Sequence, residues 1–108
     1  MLVENLKKAD INISSSGSNT IIAAPAHGYI AIDHINFIPT SAVTVQLKDG
    51  STNYGGAFPL DAKQAFVLEN NILNQNGVIT CSPGSAFVIN LSVAVQIGGF
   101  IRYRIIGE

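Results

Sequence analysis

Apolar and polar side chains alternate along most of this chain. Val43, Val45 and Leu47 are separated by Thr44, Gln46 and Lys48. Phe87, Ile89 and Leu91 are separated by Val88, Asn90 and Ser92, and Ile11 and Ile13 flank Asn12. A side-chain period of two places apolar residues on one face of an extended strand and polar residues on the other. No segment holds the i, i+3, i+4, i+7 apolar spacing over three helical turns, and isoleucine alone supplies 15 residues. That β-branched bias suits a pleated, half-buried surface. The alternation therefore predicts an all-β fold with minimal helix.

Turn residues divide the chain into about eight short strands. Ser15-Ser16-Gly17-Ser18-Asn19 breaks the first, Pro25 stops a run from Thr20 to Ala24, and Pro39 stops a longer run from Tyr29 to Ile38. Asp49-Gly50 reads as a hairpin turn, Ser82-Pro83-Gly84-Ser85 as a tight turn, and the Asn-rich stretch from Asn70 to Gly77 as turn material around Ile72-Leu73. Ser51 to Ala62 is loop-like, with Ala57-Phe58 as an added edge pairing. Within the long run, Ile30 and Ile32 share one parity while Ile35 and Phe37 take the other, which predicts a β-bulge or a switch between sheets near Asp33-His34. Phe100 similarly disagrees in parity with Ile101 and Tyr103, so a second bulge is expected at Gly98-Gly99. Short, evenly spaced strands with Gly, Pro and Asn turns argue for a single-domain antiparallel β-sandwich or jelly roll over residues 10–108.

At 108 residues the chain matches one domain, because two separate cores would each be too small to hold together. Charged residues are 12% of the chain, about half the usual share, so the exterior is expected to be apolar or neutral polar, the kind of surface that a protein neighbour covers. The net charge is -1 and the basic residues are scattered, which excludes a stripe able to neutralise a row of phosphates and makes nucleic acid an unexpected partner. No window approaches the run of about 18 apolar residues that a membrane helix requires, and Met1 to Asp10 has no signal-peptide core. Synthesis in the cytoplasm as a soluble, membrane-free protein is the expectation.

The residues able to carry chemistry are dispersed. Seven carboxylates occur singly along the chain, so no motif pairs two of them as glycoside hydrolysis requires. His27 and His34 stand seven positions apart with no further ligand nearby, and a zinc site needs three or four. Cys81 is the only cysteine; it has no disulfide partner and reads as a small core residue. The chain has no Gly-x-Ser-x-Gly elbow and no phosphate loop at a strand-to-helix junction. No catalytic residue, metal ligand or cofactor is therefore assigned, and the chain reads as a non-enzyme. Tyr54 is the one aromatic in an obvious loop and reads as a loop anchor before a ligand platform.

Residues 1–9 are read as an N-terminal arm outside the strands. Its Leu2, Val3 and Leu6, with Lys7 and Lys8 beside them, form the candidate partner-contact segment, docking on a partner in preference to packing back or staying disordered.

Asp49-Gly50-Ser51-Thr52, Gly56-Ala57-Phe58-Pro59-Leu60-Asp61-Ala62, Thr80 with Pro83-Gly84 and Phe87, and Asn90 through Gly99 together form a pattern. It resembles the small head decoration, or cement, proteins of tailed bacteriophages over roughly residues 18–106. The resemblance implies a β-sandwich or jelly-roll subunit, often trimeric, that sits on the capsid exterior of the virion and clamps neighbouring copies of the major capsid protein. Two other readings stay open: a receptor- or carbohydrate-binding β-module of a tail or fibre, in which Tyr54 contacts glycan, and a hydrolase using His27 or His34.

Overall fold

The computed structural model describes residues 6–69 and 76–107. Leu2 and Val3 of the expected arm, and most of the Asn-rich turn, lie outside the described residues. The described residues form ten strands: β1 (Lys7–Ile13), β2 (Gly17–Ile22), β3 (Tyr29–Pro39), β4 (Val43–Asp49), β5 (Thr52–Asn53), β6 (Phe58–Leu60), β7 (Phe66–Glu69), β8 (Ile79–Thr80), β9 (Phe87–Leu91) and β10 (Ile97–Ile106). Among the described residues there is no helix.

The strands form two antiparallel sheets. Sheet A runs β1-β10-β3-β7 with β8 also on β3, and sheet B runs β2-β9-β4-β5 with β6 also on β4. Counting β5/β6 and β7/β8 each as one interrupted strand leaves eight positions, paired first with last, second with seventh, third with sixth and fourth with fifth. The chain is thus a long ribbon folded at its middle and wrapped so that alternate pairs fall in opposite sheets, which is a jelly roll.

The alternation explains why the two sheets stack. Ile11, Ile30, Ile32, Ile35, Phe37, Ile97 and Ile101 of sheet A face Ile22, Val45, Leu47, Phe87, Ile89 and Leu91 of sheet B, all buried in one core. Phe66 on β7 stacks on Phe37 at 4.8 Å and meets the edge of Phe58 on β6 at 4.7 Å, joining the two layers along one side. The Asp49-Gly50 hairpin forms with a two-residue turn, Lys48 opposite Asn53 and Asp49 opposite Thr52. Gly50 adopts a φ of 63° there, the left-handed conformation that a glycine at the first turn position supplies without steric cost.

One of the two expected bulges is present. Arg102 pairs with His34 and Tyr103 pairs with Ile32, leaving Asp33 as an extra residue on β3. The bulge lets Ile30 and Ile32 on one side, and Ile35 and Phe37 on the other, all point inward. No bulge occurs at the paired glycines, a correction to the sequence reading: Gly98 stays opposite Ile38 and Gly99 opposite Phe37 in unbroken register. Phe100 differs in parity because it faces outward, stacked at 5.3 Å on His34. The glycine at 99 serves close approach instead, since a Cβ there would collide with the backbone carbonyl of Asn36.

Two boundaries also differ from the sequence reading. β1 begins at Lys7, three residues before the expected start of the sandwich at residue 10, because Lys7, Lys8 and Ala9 pair with Tyr103, Arg102 and Ile101. β2 begins at Gly17, inside the expected break, because Gly17, Ser18 and Asn19 pair with Leu91, Asn90 and Ile89. In both places the cross-strand partner outweighs weak local propensity. The Ala57-Phe58 edge pairing appears as β6, on Val43 to Val45.

Adding one methyl should separate the two neighbouring glycines. Gly99→Ala is expected to lower stability by about 1–3 kcal/mol through overpacking against the β3 backbone. At Gly98, where a Cβ meets nothing within 4 Å, alanine should change it by less than about 0.5 kcal/mol. Thermal denaturation of the two variants checks this, and equal loss in both would contradict it.

Candidate interaction surface

The jelly roll keeps the chemically capable side chains apart. His27 lies in the β2–β3 connection, where it lines a pocket of ≈ 540 Å³ with Lys7, Pro25, Tyr103 and Ile105. His34 lies elsewhere, on the outer face of sheet A beside Phe100. Among the described residues no group of three His, Cys, Asp or Glu side chains is placed to hold a metal ion, and no helix is long and apolar enough to cross a membrane.

Cys81 is buried in the core. Burial pushes its thiol up to about 12, and the nearby Asp49 carboxylate adds to the shift. That keeps the sulfur protonated and a poor nucleophile at neutral pH. Asp49 has a structural role, because its carboxylate accepts hydrogen bonds from the Ser82 N–H at 2.9 and 3.0 Å and from the Ser82 hydroxyl at 2.7 Å. The end of β4 is thereby tied to the Ser82-Pro83 turn. Tyr54 packs half-buried against the core, and its N–H donates to the Leu47 carbonyl at 2.8 Å. Its ring is engaged with protein along part of its surface.

What distinguishes one surface from another is the pair of outer sheet faces. On sheet B the outward positions are Ser18, Asn90 and Gln46 in one row and Thr20, Val88 and Lys48 in the next. Val88 is the apolar member, and it is only 6% exposed. Polar residues, neutral except for Lys48, thus cover this face, in keeping with the low charge content.

The outer face of sheet A is built differently. Its rows, read across the strands, are Asn12, Gly98 and Ile38; then Asp10, Phe100, Asn36 and Val67; then Lys8, Arg102, His34 and Glu69. Ile38 is 49% exposed and Val67 is 56% exposed, diagonal neighbours on β3 and β7, with the half-buried Phe100 on β10 separated from Val67 by Asn36 and the bare Gly98 beside Ile38. Ile38 is the single exposed isoleucine among the described residues. Most of the aliphatic excess in the composition is therefore absorbed by the core, and what reaches solvent on a sheet face is gathered on sheet A.

A polar frame borders this apolar group. Arg104 donates from Nε to Asp33 Oδ2 at 2.7 Å and from Nη2 to Asp33 Oδ1 at 2.8 Å, a two-pronged pair with side chains only 12% and 21% exposed. The hydrogen bond to Asp33 raises the Arg104 pKa above its already high ordinary value. Asn36 Nδ2 lies 2.8 Å from His34 Nε2. With the amide as donor, the imidazole proton sits on Nδ1, which faces Glu69 Oε1 at 3.9 Å. Lys8 and Asp10 form an exposed pair at 3.4 Å. An apolar centre with a polar rim is the anatomy of a protein-binding patch.

Of the candidate arm residues, Leu6 is 39% exposed, and Lys7 and Lys8 belong to β1. Lys8 is on the outer face with Asp10, whereas Lys7 follows the inward parity and lines the pocket beside His27. A segment separable from the fold therefore ends before Lys7. The sequence reading missed Ile38, Val67 and Phe100 as surface residues. Pro39 immediately after Ile38, and the out-of-phase Phe100, were the available signals.

Two measurements test these contacts. Asp33→Ala should cost about 1.5–3 kcal/mol by leaving a half-buried guanidinium short of its charged acceptor, while Lys8→Ala, at an exposed pair, should cost less than about 1 kcal/mol. For Cys81, a folded-state value raised from 9.0 to about 12 means that its contribution to stability is fully present below pH 9 and is lost as pH rises towards 12. Chemical denaturation across that window should show a shallower decline for Cys81→Ala than for the wild type, and parallel curves would contradict the assignment.

In comparisons with known proteins, no family model, no curated protein and no solved structure matches the chain.

Proposed function

We propose that this protein is a non-enzymatic structural subunit of a phage virion, a decoration or cement protein that binds the outside of the head shell. The observation that carries the reading is the asymmetry of the two outer faces: exposed Ile38 and Val67, with Phe100, lie together on sheet A, opposite a polar face on sheet B. Apolar side chains gathered on one face of a small, weakly charged domain mark a surface for another protein. The resemblance of Asp49 to Thr52, Gly56 to Ala62 and Asn90 to Gly99 to cement proteins supports the same class of partner. On this reading the outer face of sheet A rests on the major capsid protein, and copies of the chain associate with one another, as trimers by the resemblance.

The mechanism is mass action. A subunit that binds the assembled shell and not its separated parts stabilises the shell by RT ln(1 + [L]/Kd). No bond is made or broken. The glycan-binding reading relied on Tyr54 as a platform, and the packing of Tyr54 against the core favours the anchor role over that one.

Binding to purified empty heads of the source phage tests the proposal. Wild-type protein should cosediment saturably, and Ile38→Lys or Val67→Lys should weaken binding about tenfold or more, as expected for charges placed in an apolar contact, with unchanged melting temperature. Absence of binding to heads, with saturable binding to tails or to glycan, would overturn it.

A further inference from the structure

We propose that the open edge of β1 pairs with β1 of a second copy, in antiparallel register centred on Ala9. β1 is the outermost strand at one side of sheet A, the other side being formed by the short β7 and β8. It is seven residues long, contains no proline, and pairs with β10 from Lys7 to Ile13 without a register break. Regular edges of this kind accept another strand. On the same side of the sandwich, the outer strand of sheet B, β2, differs in having a register shift between Thr20 and Ile22, an irregularity that hinders strand addition.

Hydrogen-bond alternation identifies the open groups. The Thr40 N–H donates to the Gln96 carbonyl at 3.0 Å, which makes the even-numbered residues of β10 the ones bonded to β3. Its odd-numbered residues therefore bond to Lys7, Ala9, Ile11 and Ile13, their register partners on β1. That leaves the N–H and C=O of Lys8, Asp10 and Asn12 directed away from the sheet. Among the described residues no strand pairs with that side.

Charge then selects the register. A two-fold pairing centred on Lys8 opposes two ammonium groups, and one centred on Asp10 opposes two carboxylates. Centres at Ile11 or Asn12 leave both charges without an opposite number. Centring on Ala9 sets Lys8 against Asp10 of the second copy, and Asp10 against its Lys8, on the same face of the joined sheet. Both pairs then use main-chain groups that are already open, and opposite charges directly across from one another favour the pairing. The charged edge that ordinarily discourages strand addition is here self-complementary.

The two-fold axis is perpendicular to the sheet, so the outer faces of the two copies lie side by side and point the same way. By itself the contact closes a dimer; where a separate three-fold contact holds trimers, it joins trimers in pairs. The pairing does not rest on the shell-binding reading, although two coplanar apolar patches would bind a shell bivalently if that reading holds.

Charge exchange on the full-length chain, in the absence of shells, tests the pairing. Lys8→Asp and Asp10→Lys alter exposed side chains and each sets like charges opposite one another. Either change should weaken self-association about tenfold or more, the sum of two lost attractions and two repulsions. Mixing the two variants restores opposite charges in the heterodimer, and the double variant Lys8→Asp/Asp10→Lys restores them within one chain type. Sedimentation velocity should recover the wild-type species in both cases; where trimers form, the affected step is trimer to hexamer. Self-association indifferent to the single changes, failure of mixing to restore it, or a wild-type chain that stays monomeric at its highest soluble concentration would overturn the proposal. None of these outcomes depends on whether heads bind the protein.

Discussion

The structure depends on one unpaired residue. β3 is the longest strand and lies at the centre of sheet A, with β10 on one side and β7 and β8 on the other. Without an extra residue at Asp33, either Ile30 and Ile32 or Ile35 and Phe37 would turn to solvent, because a slip of one position exchanges the faces of a strand. The bulge puts both pairs into the core. Its exposed consequence is a carboxylate held at the surface of the sheet, and Arg104 from the neighbouring strand takes it in two hydrogen bonds. Packing inside and ion pairing outside are two sides of the same irregularity.

From that arrangement follows the division of labour between the two layers. With all the inward positions of β3 and β10 satisfied, the residues left over on the outer face of sheet A are those that no inner layer can take: Ile38 at the end of β3, Val67 on the short edge strand and Phe100 opposite Asn36. Among the described strand residues of sheet B no large apolar side chain is left exposed, and Val93, 49% exposed, lies just beyond β9. In the proposed reading, the resemblance to cement proteins expected from the turn and strand motifs and the apolar group on one outer face are two independent features. One concerns sequence pattern and the other concerns which side chains the core has no room for.

The jelly-roll wrapping also determines which edges exist. Because the first strand pairs with the last, and the second with the next to last, β1 and β2 finish as the outer strands at one side of their respective sheets. At the opposite side, where β5 to β8 are the outer strands, Phe37, Phe66 and Phe58 join the two layers. An open, regular strand bearing Lys8 and Asp10 two residues apart thus results from topology, and its capacity to match a copy of itself results from the order of two charges.

Much of this was legible in the amino-acid order alone. Period-two alternation with Gly, Pro and Asn punctuation determines strands and their inward faces, since burial of one face requires that spacing. The parity change between Ile32 and Ile35 even locates the bulge. Tertiary structure alone decided the rest. It recruited Lys7 to Ala9 and Gly17 to Asn19 into strands, because a cross-strand partner supplies hydrogen bonds that local propensity does not register. It gave Gly99 a packing role where the parity of Phe100 had suggested a bulge, because which face of β10 is outward depends on β3 and β1 lying on either side. And it left Ile38, Val67 and Phe100 in contact with water, because exposure belongs to the assembled layers and not to any residue by itself.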